Sequence, residues 1–168
     1  MDITIRTARP EEYAALGDLT AQAYLDDGHL DYGADDQYLP VLRDVAGRAA
    51  LAEILVAVAD GAADGALLGG VTFVPSGGAL ADIARDDETE IRMLAVSPVA
   101  RGRGVGELLV RACVQRSREA GRRRLVLSSS PSMRTAHRLY ERLGFTRTPE
   151  RDWCPLPDLP LLTYALTL

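Results

Sequence analysis

The densest group of chemistry-bearing residue types is the hexamer Arg101-Gly102-Arg103-Gly104-Val105-Gly106. A helix beginning there would leave its first N–H groups without internal partners, at the positive end of its dipole. Glycines let the backbone come close to a diphosphate. Arg101 and Arg103 add charge where the phosphates would lie. A glycine-rich hexamer alone fits such an anion site and a plain turn with two solvated arginines equally well. Two phosphate-binding patterns are excluded. A P-loop needs Lys followed by Ser or Thr after its last glycine, and Glu107 stands there. A dinucleotide fingerprint needs G-x-G-x-x-G, whereas these glycines run G-x-G-x-G.

Other reactive types are sparse. Cys113 and Cys154 have no metal-ligand spacing and read as two free thiols of a reducing cytoplasm. Cys154 has no histidine near it in sequence and reads as a loop cysteine rather than a nucleophile. His29 and His137 are far apart, so no metal is expected. The run Arg122-Arg123-Arg124 lacks interleaved aromatics, and the chain carries a net charge of −5. It reads as a solvated junction rather than a nucleic-acid surface.

The elements that must position the hexamer follow from periodicity. Ile3 and Ile5 alternate into a first strand, and Pro10-Glu11-Glu12 opens a helix carrying Leu16, Leu19 and Ala23. The acidic stretch from Asp26 to Asp36 is a loop, and a second helix is expected from Tyr38 to Ala50. The run Ile54–Val58 and its hairpin partner Leu67–Val74 flank a turn marked by Gly61 and Gly65. Ile91, Met93 and Ala95 alternate in a strand that Pro98 ends. Val105, Leu108, Leu109, Ala112 and Cys113 form the dry face of a long helix, with Glu107 and Arg111 paired on its wet face. Leu125–Leu127 is a buried strand, Ala136–Leu143 a last helix, and Leu162–Leu168 a final strand. The strand–helix–strand unit around residues 90–128 requires a right-handed crossover and parallel pairing. The result is an α/β fold with a mixed central sheet and helices on both faces, one domain over residues 1–168. Apolar residues make up 47% and charged residues 26%, an ordinary globular composition. No apolar run reaches the ~20 residues of a membrane span, and the N-terminal residues have no secretory pattern.

Arg101-x-x-Gly104-x-Gly106 resembles the Gln/Arg-x-x-Gly-x-Gly/Ala signature of the GNAT superfamily of acyl-CoA-dependent N-acyltransferases. Leu94–Pro98 resembles that family's central strand and its exit, and Ala136–Phe145 its Ala-x-x-Leu-Tyr-x-x-x-Gly-Phe segment. The three matches occur in order and cover about residues 88–146. The resemblance implies the GNAT fold, with the parallel pair around residues 90–128 splayed, and acetyl-CoA as acyl donor. It implies that the backbone of Arg101, Gly102, Arg103, Gly104, Val105 and Gly106 holds the diphosphate. Leu94, Ala95 and Val96 would bind the pantetheine arm and the thioester carbonyl, where a fixed donor stabilises developing charge. Ser129, in Ser128-Ser129-Ser130, would stand on the other wall. One departure is Met133, where many relatives carry an asparagine seven residues before the helix tyrosine. Arg122–Arg124 could also reach the adenosine phosphate.

The same resemblance assigns the acid and base. An ammonium cannot attack until deprotonated, so a general base within reach is needed. Glu90 stands eleven residues before Arg101, where some relatives place a catalytic glutamate, and Glu88 is a second candidate. Simple alternation puts Glu90 on one face with Leu94, unless a bulge intervenes. The other reading of Glu90 is a solvated carboxylate paired with Arg92. Tyr140 matches the tyrosine that protonates the departing thiolate, a task compatible with core packing beside Ala136 and Leu143. His137 is expected to point to the surface. Tyr24, Asp26, Asp27 and Tyr32, with Asp31, fall where the family builds one wall of its acceptor cleft, and Asp152 and Trp153 fall where it builds another. Acids beside aromatics suit a cationic amine. An ordinary solvated acidic loop would look the same. The implied partner is a small-molecule or peptide amine, with a homodimer a candidate assembly; no nucleic acid or membrane is expected, and the location is cytoplasmic. The rival reading is a non-catalytic acyl-CoA-binding or regulatory module on the same fold.

Overall fold

A computed structural model of the chain describes residues 2–61 and 66–168. Gly65, expected in the turn after residue 58, lies outside the described residues. The strands are β1 (Ile3–Thr7), β2 (Glu53–Ala59), β3 (Leu67–Val74), β4 (Glu88–Val96), β5 (Arg124–Ser129), β6 (Thr146–Arg147) and β7 (Leu162–Thr167). They form one sheet in the order β1-β2-β3-β4-β5-β7-β6. The helices are α1 (Tyr13–Asp26), α2 (Tyr38–Arg43), α3 (Val45–Ala49), α4 (Val105–Glu119) and α5 (Arg134–Arg142).

Only β4 and β5 pair in parallel, because α4 carries the chain across the sheet between them; the other neighbours are antiparallel. The sheet therefore matches the mixed architecture expected from periodicity. The core on one face joins Leu55, Val71, Ile91 and Leu125 to Val105, Leu109 and Cys113 of α4 and Tyr140 of α5. The other face is covered by α1, α2 and α3, through Leu16 and Val45 against Ile54 and Val56, and through Ala21, Leu39 and Leu42 against Met93.

Two expectations change in detail. The helix expected from Tyr38 to Ala50 is broken at Asp44, whose carboxylate accepts a hydrogen bond from Gly47 N at 3.0 Å and caps α3. The buried face of α4 is Val105, Leu109, Val110, Cys113 and Val114, while Leu108 is 37% exposed. The sheet meets α4 closer to Val110 and Val114 than the pattern of leucines suggested.

Candidate functional site

The site begins where β4 leaves its parallel neighbour. β4 and β5 pair from Glu88↔Arg124 to Ile91↔Leu127, and the register ends there. Against β3, Gly70 pairs with Ala95 and Thr72 with Arg92, so Val71 faces two residues, Met93 and Leu94. This is a β-bulge, and Met93 has φ of 56°. Strained backbone of this kind is held in place by its surroundings and concentrates at functional sites. The bulge also resets the alternation. Ile91, Leu94 and Val96 pack into the α4 face, whereas Met93 packs with α1 and α2. Glu90 therefore does not share a face with Leu94, which corrects the count made by simple alternation.

A cavity of about 580 Å³ opens at this parting. Leu94, Ala95 and Val96 line it from β4; Arg101, Gly102, Gly104, Val105 and Gly106 line it from the turn before α4. Ser132, Met133, Arg134, Thr135, Ala136 and Leu139 close it from the β5–α5 side. Gly102 and Gly104 both have φ of 77°, and a Cβ placed on either would meet no atom within 4 Å. The turn is thus shaped for glycine and open above its backbone. Gly104 is the N-cap of α4, and Leu108 N is the first amide to reach back, to Gly104 O at 3.0 Å. The N–H groups of Val105, Gly106 and Glu107 have no acceptor inside the helix and sit at its positive end. This cradle fits a diphosphate. Arg103 is exposed and outside the lining.

The candidate acid and base are both buried, and neither lines this cavity. Tyr140 is 5% exposed, with its ring against Phe145 at 5.6 Å and Tyr164 at 5.9 Å. Burial, with Cys113 and Tyr164 nearby, pushes its phenol above the ordinary range, so it stays protonated. Arg48 Nε is the one enclosed side-chain nitrogen or oxygen without a partner among the described residues. The Tyr140 hydroxyl has no hydrogen-bond partner among the described residues, and Tyr140 is not among the residues that line the cavity. Glu90 is 1% exposed. Its Oε1 accepts from the amides of Asp82, Ile83 and Ala84 at 3.1, 2.9 and 2.9 Å; Oε2 accepts only from Asp82, at 3.2 Å. Burial raises its pKa and the amides partly offset this. Neither the solvated state nor the Arg92 pair of its other reading is present. Arg92 turns to Asp82 at 3.6 Å and to Leu80 O at 3.1 Å. Glu88 is fully enclosed, and burial, the largest single influence, raises its pKa; the hydrogen bonds from Arg151 at 2.8 Å and from the Arg85 amide at 3.0 Å, with the charges of both arginines, together outweigh it and lower the pKa.

The flanking candidates separate. Tyr24 and Asp27 line the cavity. Asp26 instead accepts from Gln22 at 2.7 Å on the surface, and Tyr32 is 78% exposed. Trp153 donates through Nε1 to Ser128 Oγ at 2.9 Å, which ties the late loop to β5. Asp27 takes a bidentate pair from Arg101, and His29, which the sequence marked only as no metal ligand, bonds Ser132 Oγ at 3.0 Å from the same turn. Ser129 is buried and contacts His137 Nε2 at 3.0 Å. His137 is accordingly half-buried, with its ring 5.4 Å from that of Tyr164, and not a surface residue. It lies three residues before Tyr140 and so on the same side of α5. Arg122–Arg124 bind the Asp86–Glu88 segment at the C-terminal end of α4. At 1.5 Å per residue, that end is about 20 Å from the glycine turn, which corrects the idea that they reach the same ligand's adenosine end. Among the described residues no cluster of His, Cys, Asp and Glu could hold a metal, and no helix is long and apolar enough to cross a membrane.

Comparison with known proteins adds to this geometry. A sequence model described as the acetyltransferase (GNAT) family matches residues 16–145. No curated protein matches. Among solved structures, a GNAT-family acetyltransferase from Staphylococcus aureus superposes with a TM-score of 0.76 at 15% identity, over 99% of each chain. A GCN5-related N-acetyltransferase from Kribbella flavida gives 0.69 at 22% identity, over 99% of this chain and 98% of that one. A Salmonella typhimurium protein solved with its cofactor acetyl-CoA gives 0.67 at 21% identity, over 100% and 95%. At these identities the likeness is one of fold.

Proposed function

This chain belongs to the acetyltransferase (GNAT) family, and from that premise we propose that it moves the acetyl group of acetyl-CoA to a primary amine, as one domain over residues 1–168. The observation that carries the reading is the continuity of one cavity, from the uncapped amides of α4 to the parting of β4 and β5 at the Met93 bulge. Bound there, acetyl-CoA supplies an activated thioester. The protein's own groups do the rest. The amides of residues 104–107 hold the diphosphate, with Arg101 beside them. The bulge aims main-chain groups of β4 between residues 93 and 96 into the gap, where a fixed N–H stabilises charge on a carbonyl oxygen.

Tyr140 is the proton donor to the leaving sulfur, through a hydroxyl that no described group occupies. Glu90 accepts the amine's proton through water, at the lightly bonded Oε2. Its raised pKa brings it closer to the neutral range where a base works best. Tyr24 and Asp27 form the acceptor wall, which favours a cationic amine.

The test is direct. Acetyl-CoA and coenzyme A should raise the melting temperature, since a ligand that binds only the folded state must stabilise it. A panel of amines with acetyl-CoA, read by thiol release, should then find a cationic acceptor. No thermal shift at millimolar coenzyme A would overturn the reading, and an anionic best acceptor would overturn the role of the wall.

A further inference from the structure

The C-terminal turn of α1 is fastened across the mouth of the cavity. Arg101 donates from Nη1 to Asp27 Oδ1 at 2.7 Å and from Nη2 to Oδ2 at 2.8 Å. His29 Nε2 is 3.8 Å from the same carboxylate, and its Nδ1 is 3.0 Å from Ser132 Oγ. Tyr24 meets the His29 ring edge-on at 6.1 Å. Asp27, His29, Arg101 and Ser132 all line the cavity. One turn thus bridges the glycine turn on one wall and the β5–α5 loop on the other.

Asp27 is an odd choice for this place. It is the C-cap of α1, where the dipole is negative and a carboxylate is disfavoured. Arg101 compensates for it. Yet a guanidinium fork takes a phosphate as readily as a carboxylate, with the same two parallel donors. Arg101 flanks the uncapped amides of α4, so a diphosphate in that cradle meets the fork Asp27 already occupies. The Nη1–Nη2 edge of the fork serves one anion at a time. The diphosphate would stand at a positive helix end, Asp27 stands at a negative one, and the exchange runs toward the diphosphate.

We infer that Asp27 is a placeholder for the coenzyme's diphosphate on Arg101, and that donor binding evicts it. The inference rests on the reading of the cavity as a coenzyme A site. Gly28 follows Asp27 with φ of 69°, and a glycine there leaves the turn's backbone more conformational freedom than any other residue would. Eviction leaves a carboxylate on the acceptor side of the cavity, beside Tyr24, only after the donor is seated.

Titration calorimetry with coenzyme A tests this on the wild type, Asp27→Asn, Arg101→Gln and the double variant, with pantetheine, which lacks the diphosphate, as second probe. The Asp27–Arg101 pair is partly exposed, so breaking it costs little. Asp27→Asn should bind coenzyme A about two- to fivefold tighter, the span of an exposed ion pair. The gain should vanish in the Arg101→Gln background, and pantetheine affinity should be equal in wild type and Asp27→Asn. Weaker binding by Asp27→Asn would overturn the inference, because Asp27 would then be orienting Arg101 for the ligand. A gain that persists without Arg101 would overturn it too, as simple repulsion at a distance. If the wild type binds no coenzyme A, the cavity reading falls and takes this inference with it, a result distinct from either of those.

Discussion

Replacing Tyr140 by Phe separates two roles that the structure superimposes. The ring packs against Phe145 and Tyr164, while the hydroxyl bonds to no described residue. Removing the oxygen therefore breaks no hydrogen bond and opens no cavity. The expected change in stability is within about 0.5 kcal/mol, because the usual net loss of ~1 kcal/mol requires a partner to lose. For a chain of this size that is about 2 °C or less in melting temperature. Tyr140→Ala is the contrast. It deletes a buried ring, at about 3–5 kcal/mol, and should lower the melting temperature by roughly 6–20 °C. In the acetyl-transfer assay, Tyr140→Phe should lose about 10²–10⁴ in kcat, the range for one acid–base group. That corresponds to about 3–5 kcal/mol of barrier. Coenzyme A affinity should hold, and the loss should shrink with acyl donors whose thiol is more acidic. A Tyr140→Phe enzyme as active as wild type would refute the proton-donor role. A melting temperature as low as that of Tyr140→Ala would refute the view that the hydroxyl has no structural partner.

Three further outcomes are expected. Gly104→Val should still fold, at a cost of about 1–3 kcal/mol for a branched side chain at φ of 77°, but should lose the thermal shift with coenzyme A; unchanged affinity would displace the phosphate site. Glu90→Gln turns an amide N–H toward Asp82 N and should cost about 1–3 kcal/mol of stability, with turnover reduced more near neutral pH than at high pH, where the amine is already deprotonated; an equal loss at every pH would leave Glu90 a purely structural role. Asp152, held by Arg147 and by Thr163, has its pKa lowered to about 2. With its folded pKa below its unfolded one, Asp152 adds stability that is present above about pH 4 and lost as pH falls toward 2. Asp152→Asn should flatten that part of the acid denaturation curve, and an unchanged curve would remove the pair from the account.

The order of elements was legible because it depends on local repeats. Ile3 and Ile5, the Ile54–Val58 run and the spacing of Val105, Leu109 and Cys113 each state their geometry within a few residues. The glycine turn was legible for the same reason. What escaped depends on distant contacts. Asp27 and Arg101 are 74 residues apart, and nothing near Asp27 names its partner. The Met93 bulge lies in a run of ordinary strand formers, and only the mismatch with β3 reveals it. His137 was within reach. Three residues along a helix is a shift of about 60°, so a residue facing the core with Tyr140 should have been expected. The three amides on Glu90 come from a loop with no periodic pattern at all.

The register of β4 and β5 stops at Ile91, so beyond it β4 has a strand on one side only. This makes an edge in the middle of a sheet. Outer edges invite another chain and are blunted by charge or bulges. Here the edge lines a cavity walled by α1, α4 and α5, which suits a narrow, extended ligand with amide groups of its own. Such a ligand would complete the ladder as a short surrogate strand. The main-chain amides of residues 94–96 that point into the gap should then exchange with solvent quickly in the unliganded protein and slowly once it is filled. Their protection would measure occupancy of the gap without reference to any reaction.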